Sequence, residues 1–132
     1  MSFKIYTDGA SRGNPGPSGA GGVILNTGGQ VLAEVTSFLG IQTNNVAEYQ
    51  ALRITLERAI ELGIKSVEVF MDSKLIVEQL NGRWQIKAPA LKVIYLQIKQ
   101  LLPKFDYVSF THIYRNFNKH ADRLANDAID KN

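Results

Sequence analysis

The order of hydrophobic patterns along these 132 residues predicts an α/β fold: a mixed five-stranded sheet, three antiparallel strands then two parallel, with helices on both faces. Two observations carry this. Three period-two segments follow one another across short Gly-rich turns, and from Asn45 onward helical and strand-like periods alternate to the end of the chain.

The first strand is predicted over Phe3 to Asp8, where Phe3, Ile5 and Thr7 alternate with Lys4 and Tyr6. Gly19 to Asn26 and Gln30 to Leu39 give the second and third, and the Asn26-Thr27-Gly28-Gly29 link is short enough for a hairpin. Leu52, Leu56, Ala59 and Ile60 then recur at helical spacing up to Gly63, a C-terminal stop. Ser66 to Met71 is a fourth strand, with Val67, Val69 and Met71 on one side, and Ser73 to Leu80 a short helix. From Pro89 to Leu102 a helix places Leu91, Ile94, Tyr95, Ile98 and Leu101 on one face, and Pro103 ends it. Asp106 to Ile113 is the fifth strand and Lys119 to Ile129 the last helix. No repeat, low-complexity stretch or linker divides the chain, so residues 1–132 are expected to form a single domain.

Composition narrows the function. The absence of Cys excludes disulfides, thiolate zinc sites and cysteine nucleophiles. No apolar run approaches the ~20 residues of a membrane span, and strand-like residues begin at Phe3, where a signal peptide would lie. A cytoplasmic monomer is expected, free-standing on the strength of Met1 and a complete set of motifs. The net charge of +3 points weakly to nucleic acid, and more strongly if several of the 12 acids are gathered in one site.

Four carboxylates stand where the local pattern does not ask for them. A right-handed crossover makes the first and fourth strands parallel neighbours. Asp8 and Asp72 end those strands with the same parity, so they should sit side by side, about 4.8 Å apart, at the carboxyl edge where α/β sheets bind ligands. Glu48 precedes Leu52, Leu56 and Ala59 on one apolar stripe, which aims it at the same edge; Asn45 and Glu48 also fit a capping box, and the two readings are compatible. Asp122 lines up with Ala125 and Ile129 at the start of the last helix, where a helix dipole would also favour an acid. Asp72 has an alternative as an N-cap; Asp8 has no comparable structural role. Carboxylates brought together repel unless a cation lies among them. An oxygen-only donor set selects Mg²⁺ first and Mn²⁺ second, and two such ions roughly 4 Å apart suit phosphodiester hydrolysis.

The stretches YTDGASRGNPGPSGAG, TNNVAEYQAL, VFMDSKLIVEQL and NKHADRLA, in this order and spacing, resemble type 1 ribonuclease H over nearly the whole chain, in the short-loop variety of archaeal and plant-type members. The resemblance implies a ribonuclease H-like fold and an endonuclease that hydrolyses the RNA strand of an RNA/DNA hybrid, leaving 5′-phosphate and 3′-hydroxyl ends. It implies Asp8, Glu48, Asp72 and Asp122 as catalytic residues and metal ligands, with two Mg²⁺ ions, or Mn²⁺ as substitute, when substrate is bound. Substrate contacts carry over to Asn14, Thr43, Asn44 and Asn45, whose amides and hydroxyl suit 2′-hydroxyls and a DNA phosphate. Trp84 either stacks along the DNA strand or packs.

Three departures from the family pattern follow. The usual basic helix and loop shrinks to Asn81–Ala88, carrying Arg83, Trp84 and Lys87. The Arg usual two residues before the Thr is Ile41. The loop bearing a family His is missing; His120, about 200° round a helix from Asp122, is expected to face away, and Arg115, Asn116 and Asn118 are candidates to position a phosphate or water. His112 reads as structural. Two alternatives stay open: the same fold also cutting duplex RNA, and a hybrid-binding module without catalysis, whose mark would be a lost carboxylate.

Overall fold

The computed structural model describes residues 2–132. Alternating side chains form β1 (Phe3–Ser11), β2 (Gly16–Leu25) and β3 (Val31–Gln42), an antiparallel meander. Then come α1 (Asn44–Glu61), β4 (Ser66–Met71), α2 (Lys74–Leu80), α3 (Pro89–Leu101), β5 (Tyr107–His112) and α4 (Lys119–Asp130). The sheet order is β3-β2-β1-β4-β5, with β4 parallel to both β1 and β5. Short 3₁₀ turns at Leu102–Lys104 and Arg115–Phe117 flank β5; neither is predicted by period.

The core lies between one sheet face and α1 to α3. Ile5, Ile24, Val67, Val69 and Met71 from the strands meet Leu52, Leu56, Ile76 and Ile98 from the helices. The other face of β1, β2 and β3 is covered by α4. No helix of the described residues is long and apolar enough to cross a membrane.

Four local features differ from the sequence expectation, each for a physical reason. β1 does not stop at Asp8. Its antiparallel ladder with β2 continues through Asp8↔Gly21 to Ser11↔Ser18, while its parallel ladder with β4 ends at Tyr6↔Phe70. The sheet is therefore split open beyond Tyr6 on the β4 side only. β2 and β3 likewise run on, to Gly16↔Gln42, because the pairing of the two strands overrides their Gly content. Helix α1 is capped by Thr43, whose hydroxyl accepts from the Val46 N–H at 3.2 Å, so the capping box of Asn45 and Glu48 does not form. Ser73, not Asp72, caps α2.

Two glycines set how closely the helices approach. A Cβ on Gly9 would collide with the Ala47–Glu48 peptide, and one on Gly21 with the α4 backbone at Ala121 and Ala125. Both helices thus rest backbone against sheet, which draws Glu48 and the first turn of α4 in toward Asp8.

Candidate active site

Where β1 and β4 part, four elements deliver acids to one cleft. Asp8 lies two residues beyond Tyr6, and Asp72 two beyond its partner Phe70, so the two leave the ladder in step. Glu48 enters from the second turn of α1 over Gly9. A carboxylate oxygen from each of Asp8, Glu48 and Asp72 lies within 4.8 Å of the others. Asp122, in the first turn of α4, lines the same cleft of about 280 Å³ but stands outside that tight trio.

The electrostatics of the trio are unfavourable as it stands. Asp8 is 5% exposed and Glu48 9%. Burial, then the neighbouring Glu48 and Asp72, pushes the Asp8 carboxyl far above its ordinary range. Burial also raises Glu48, opposed by its hydrogen bond with Asp8 and reinforced by Asp72. Glu48 Oε2 is buried without a hydrogen-bond partner among the described residues. Hard oxygen donors, mutual repulsion and an orphaned buried oxygen all fit a divalent cation of the Mg²⁺ type.

Asp122 is held from its own helix. The Asn126 side-chain amide donates to the Asp122 carbonyl at 3.0 Å and to its carboxylate at 3.3 Å, and Asn126 Oδ1 accepts from Arg12 at 3.2 Å. Arg12 also pairs with Asp130, so the Gly-rich turn after β1 is anchored to α4. Sequence reasoning passed over Asn126; its i+4 spacing from Asp122 was the available signal.

The residues expected to contact substrate fall into two places. Asn14, Thr43, Asn44 and Asn45 meet at the N-terminus of α1, about one helical turn ahead of Glu48, and Asn14 Oδ1 accepts from the Asn44 backbone N–H at 3.1 Å. The side chains of Asn14 and Asn44 are exposed at the rim. Trp84 is not among them. It is 46% exposed and lines a separate apolar groove with Ile86, Tyr95 and Leu96. The loop carrying it is pinned by a buried chain: Tyr49 donates to Gln79 at 2.7 Å, and Gln79 donates to the Gln85 carbonyl at 3.2 Å.

The residues weighed in place of a loop His also separate. Both Arg115 and Asn116 are exposed, but of the two Arg115 lines the acidic cleft. His120 faces away, its Nε2 2.5 Å from Glu34 of β3. His112 ends β5 with its ring edge-on to Tyr114. Asn118 is buried and bonded to the acid cluster rather than open to a ligand.

Against known proteins, residues 6–128 match the family described as reverse transcriptase-like. A bifunctional protein of Mycobacterium tuberculosis is 47% identical over 98% of this chain, and ribonuclease HI of Halobacterium salinarum 44% over 95%. The chain spans 36% of the first protein's length and 63% of the second's. The crystal structure of RNase H1 from the same Halobacterium covers all of both chains at 42% identity, with a TM-score of 0.96. LC11-RNase H1, solved in complex with an RNA/DNA hybrid, is 43% identical over 98% of each chain, with a TM-score of 0.92. A match from the middle of β1 almost to the end of α4, on a shared fold at this level of identity, means that the chain belongs to the type 1 ribonuclease H family.

Proposed function

We propose that the protein is an endonuclease that hydrolyses the RNA strand of RNA/DNA hybrids, leaving 5′-phosphate and 3′-hydroxyl ends. The observation that carries this reading is the trio of Asp8, Glu48 and Asp72 within 4.8 Å, two of them buried, at the foot of a rim of exposed amides. The family and the hybrid-bound relative LC11-RNase H1 support it.

Asp8, Glu48, Asp72 and Asp122 are the residues that would hold divalent cations, two Mg²⁺ with substrate bound and Mn²⁺ as substitute. Such ions, when bound, lower the pKa of an attacking water and stabilise the leaving oxygen. The chain's own part is to hold and select. Asp8 and Glu48 sit on backbone fixed by ladder and helix, so their oxygens converge before any ligand arrives. Arg115, at the edge of the cleft, is the cation placed to orient the phosphate that is cut. Asn14, Asn44 and Asn45 offer donors and acceptors to minor-groove edges and to the 2′-hydroxyls that only the RNA strand carries, while Thr43 serves a DNA phosphate.

The test is a hybrid labelled on one strand at a time, with duplex RNA and duplex DNA beside it, each incubated with Mg²⁺, Mn²⁺ or EDTA. Metal-dependent internal cuts confined to the RNA strand of the hybrid are expected. Cutting of duplex DNA at a similar rate, or cutting in EDTA, would overturn the reading.

A further inference from the structure

We propose that Asn118 is a positioning residue, one that fixes the Asp72 carboxylate and locks together the segments that carry Asp8, Asp72 and Asp122. The inference rests on the function proposed above. Asn118 is 1% exposed and comes just before α4. Its Nδ2 donates twice, to the Thr7 carbonyl at 2.9 Å and to Asp72 Oδ2 at 3.0 Å. Its own backbone carbonyl accepts from the Asp122 N–H at 3.1 Å. One residue thus bonds to the peptide preceding Asp8, to Asp72 itself and to the backbone of Asp122.

Asp72 is the carboxylate that needs such a hold. Asp8 is clamped in the β1–β2 ladder and Glu48 in a helix, but Asp72 stands past the last residue of β4 and before the cap of α2. It is only half-buried, so packing alone does not select its rotamer.

The ordinary role of an Asn at this position would be to cap α4, with its side-chain oxygen turned to the helix amides. Asn118 makes no such cap bond. Its Oδ1 is buried with no partner among the described residues. Turning the amide over would bring Oδ1 against the Thr7 carbonyl and the Asp72 carboxylate, neither of which can donate. The side chain is therefore committed to its two inward bonds, and the fold carries an unsatisfied buried acceptor to keep them. Residues that orient metal-binding carboxylates from behind behave in this way.

The experiment compares the wild type with Asn118→Ala and Asn118→Asp, in which the donor is lost. Loss of the hold should raise the Mg²⁺ concentration for half-maximal cleavage and lower kcat, each on the order of 10–100-fold, with KM for the hybrid little changed. Asn118→Asp should be the more severe, because it sets a second carboxylate against Asp72. In the ¹⁵N-labelled wild type without substrate, the Asn118 side-chain amide signals should move as Mg²⁺ is added, while those of Asn26, bonded to Gln30 in the β2–β3 turn, stay in place. A lower melting temperature with unchanged Mg²⁺ requirement and kcat would overturn the proposal, leaving Asn118 a packing residue. So would an Asn118 amide indifferent to Mg²⁺, a measurement that decides the matter even if neither variant folds. A wild type that cuts no hybrid would instead overturn the proposed function, and the amide titration would still judge Asn118.

Discussion

A carboxylate buried beside two others is a defect of the metal-free fold that a cation would repair, and Asp8 carries most of it. Its protonated form is favoured in the folded state, because burial and then Glu48 raise it above the ordinary value of 3.8. The sign follows from linkage. As pH rises past that ordinary value the unfolded chain releases the proton and the folded chain retains it, so the site's contribution to stability falls with rising pH. Asp8→Asn removes this contribution and the metal-holding charge together. The expected outcome is a variant that melts at or above the wild-type temperature in EDTA at neutral pH, declines less steeply than wild type between acid and neutral pH, and cuts no hybrid. Mg²⁺ should raise the wild-type melting temperature and leave the variant's nearly unchanged; near-normal Mg²⁺-dependent cutting by the variant would remove Asp8 from the metal site. At this scale much was legible in the sequence, because an acid at the end of an apolar strand or on an apolar helical stripe contradicts its own surroundings. Asn118 was legible only as a candidate to position a phosphate or water, since its bonds to Thr7 and Asp72 reach across 111 and 46 residues.

Among the elements, periodicity found each strand and each α-helix, and Ser66–Met71 emerged with the predicted bounds. The longer ladders of β1, β2 and β3 escaped because the added residues, Gly9 to Ser11, Gly16 to Ser18 and Gly40 to Gln42, each begin with Gly and carry little strand signal; the value of Gly9 and Gly21 lies in what they let approach. The start of α1 moved for a related reason: Thr43 outcompeted Asn45 as the cap once β3 had run on to Gln42, which freed Glu48 from any capping duty. The loop from Asn81 to Ala88 is the element whose part in substrate binding the salt dependence tests. Arg83 bonds Glu78 through two nitrogens, at 2.5 and 2.8 Å, so its charge is largely answered within the chain. Lys87 is exposed and belongs to no ion pair among the described residues. If the loop touches the hybrid backbone, Lys87→Ala should lower the slope of log affinity against log salt by about one, and Arg83→Ala by clearly less. Titrations of binding against salt, made in EDTA to prevent cutting, measure both slopes; identical slopes in all three proteins would place this loop outside the substrate path.

At the scale of the whole molecule the fold sets a buried acidic pocket within a chain of net charge +3, an arrangement that attracts a polyanion while reserving the pocket for cations. Attraction of this kind does not distinguish RNA from DNA, so under the proposed function strand choice falls to the amide rim at the start of α1. That rim is a joint product of the turn after β1 and the helix: Asn14 is bonded to the Asn44 backbone, and a shift of either element would move both. The side chains so placed can read 2′-hydroxyls. A polar group left without its partner on binding costs on the order of 1–3 kcal/mol, so a substrate that leaves several of these amides unpaired is strongly disfavoured. A hybrid in which four consecutive ribonucleotides are replaced by 2′-deoxy residues keeps the phosphates in place and removes only the hydroxyls. With one end labelled and cuts mapped to single nucleotides, cleavage should vanish within the block and persist in the flanking RNA, and Asn44→Ala should weaken cutting of the all-RNA strand while leaving the melting temperature near that of wild type. Cutting inside the block at a rate comparable to the flanks would mean that the sugars are not read, and the site would then be that of a metal-dependent nuclease indifferent to RNA.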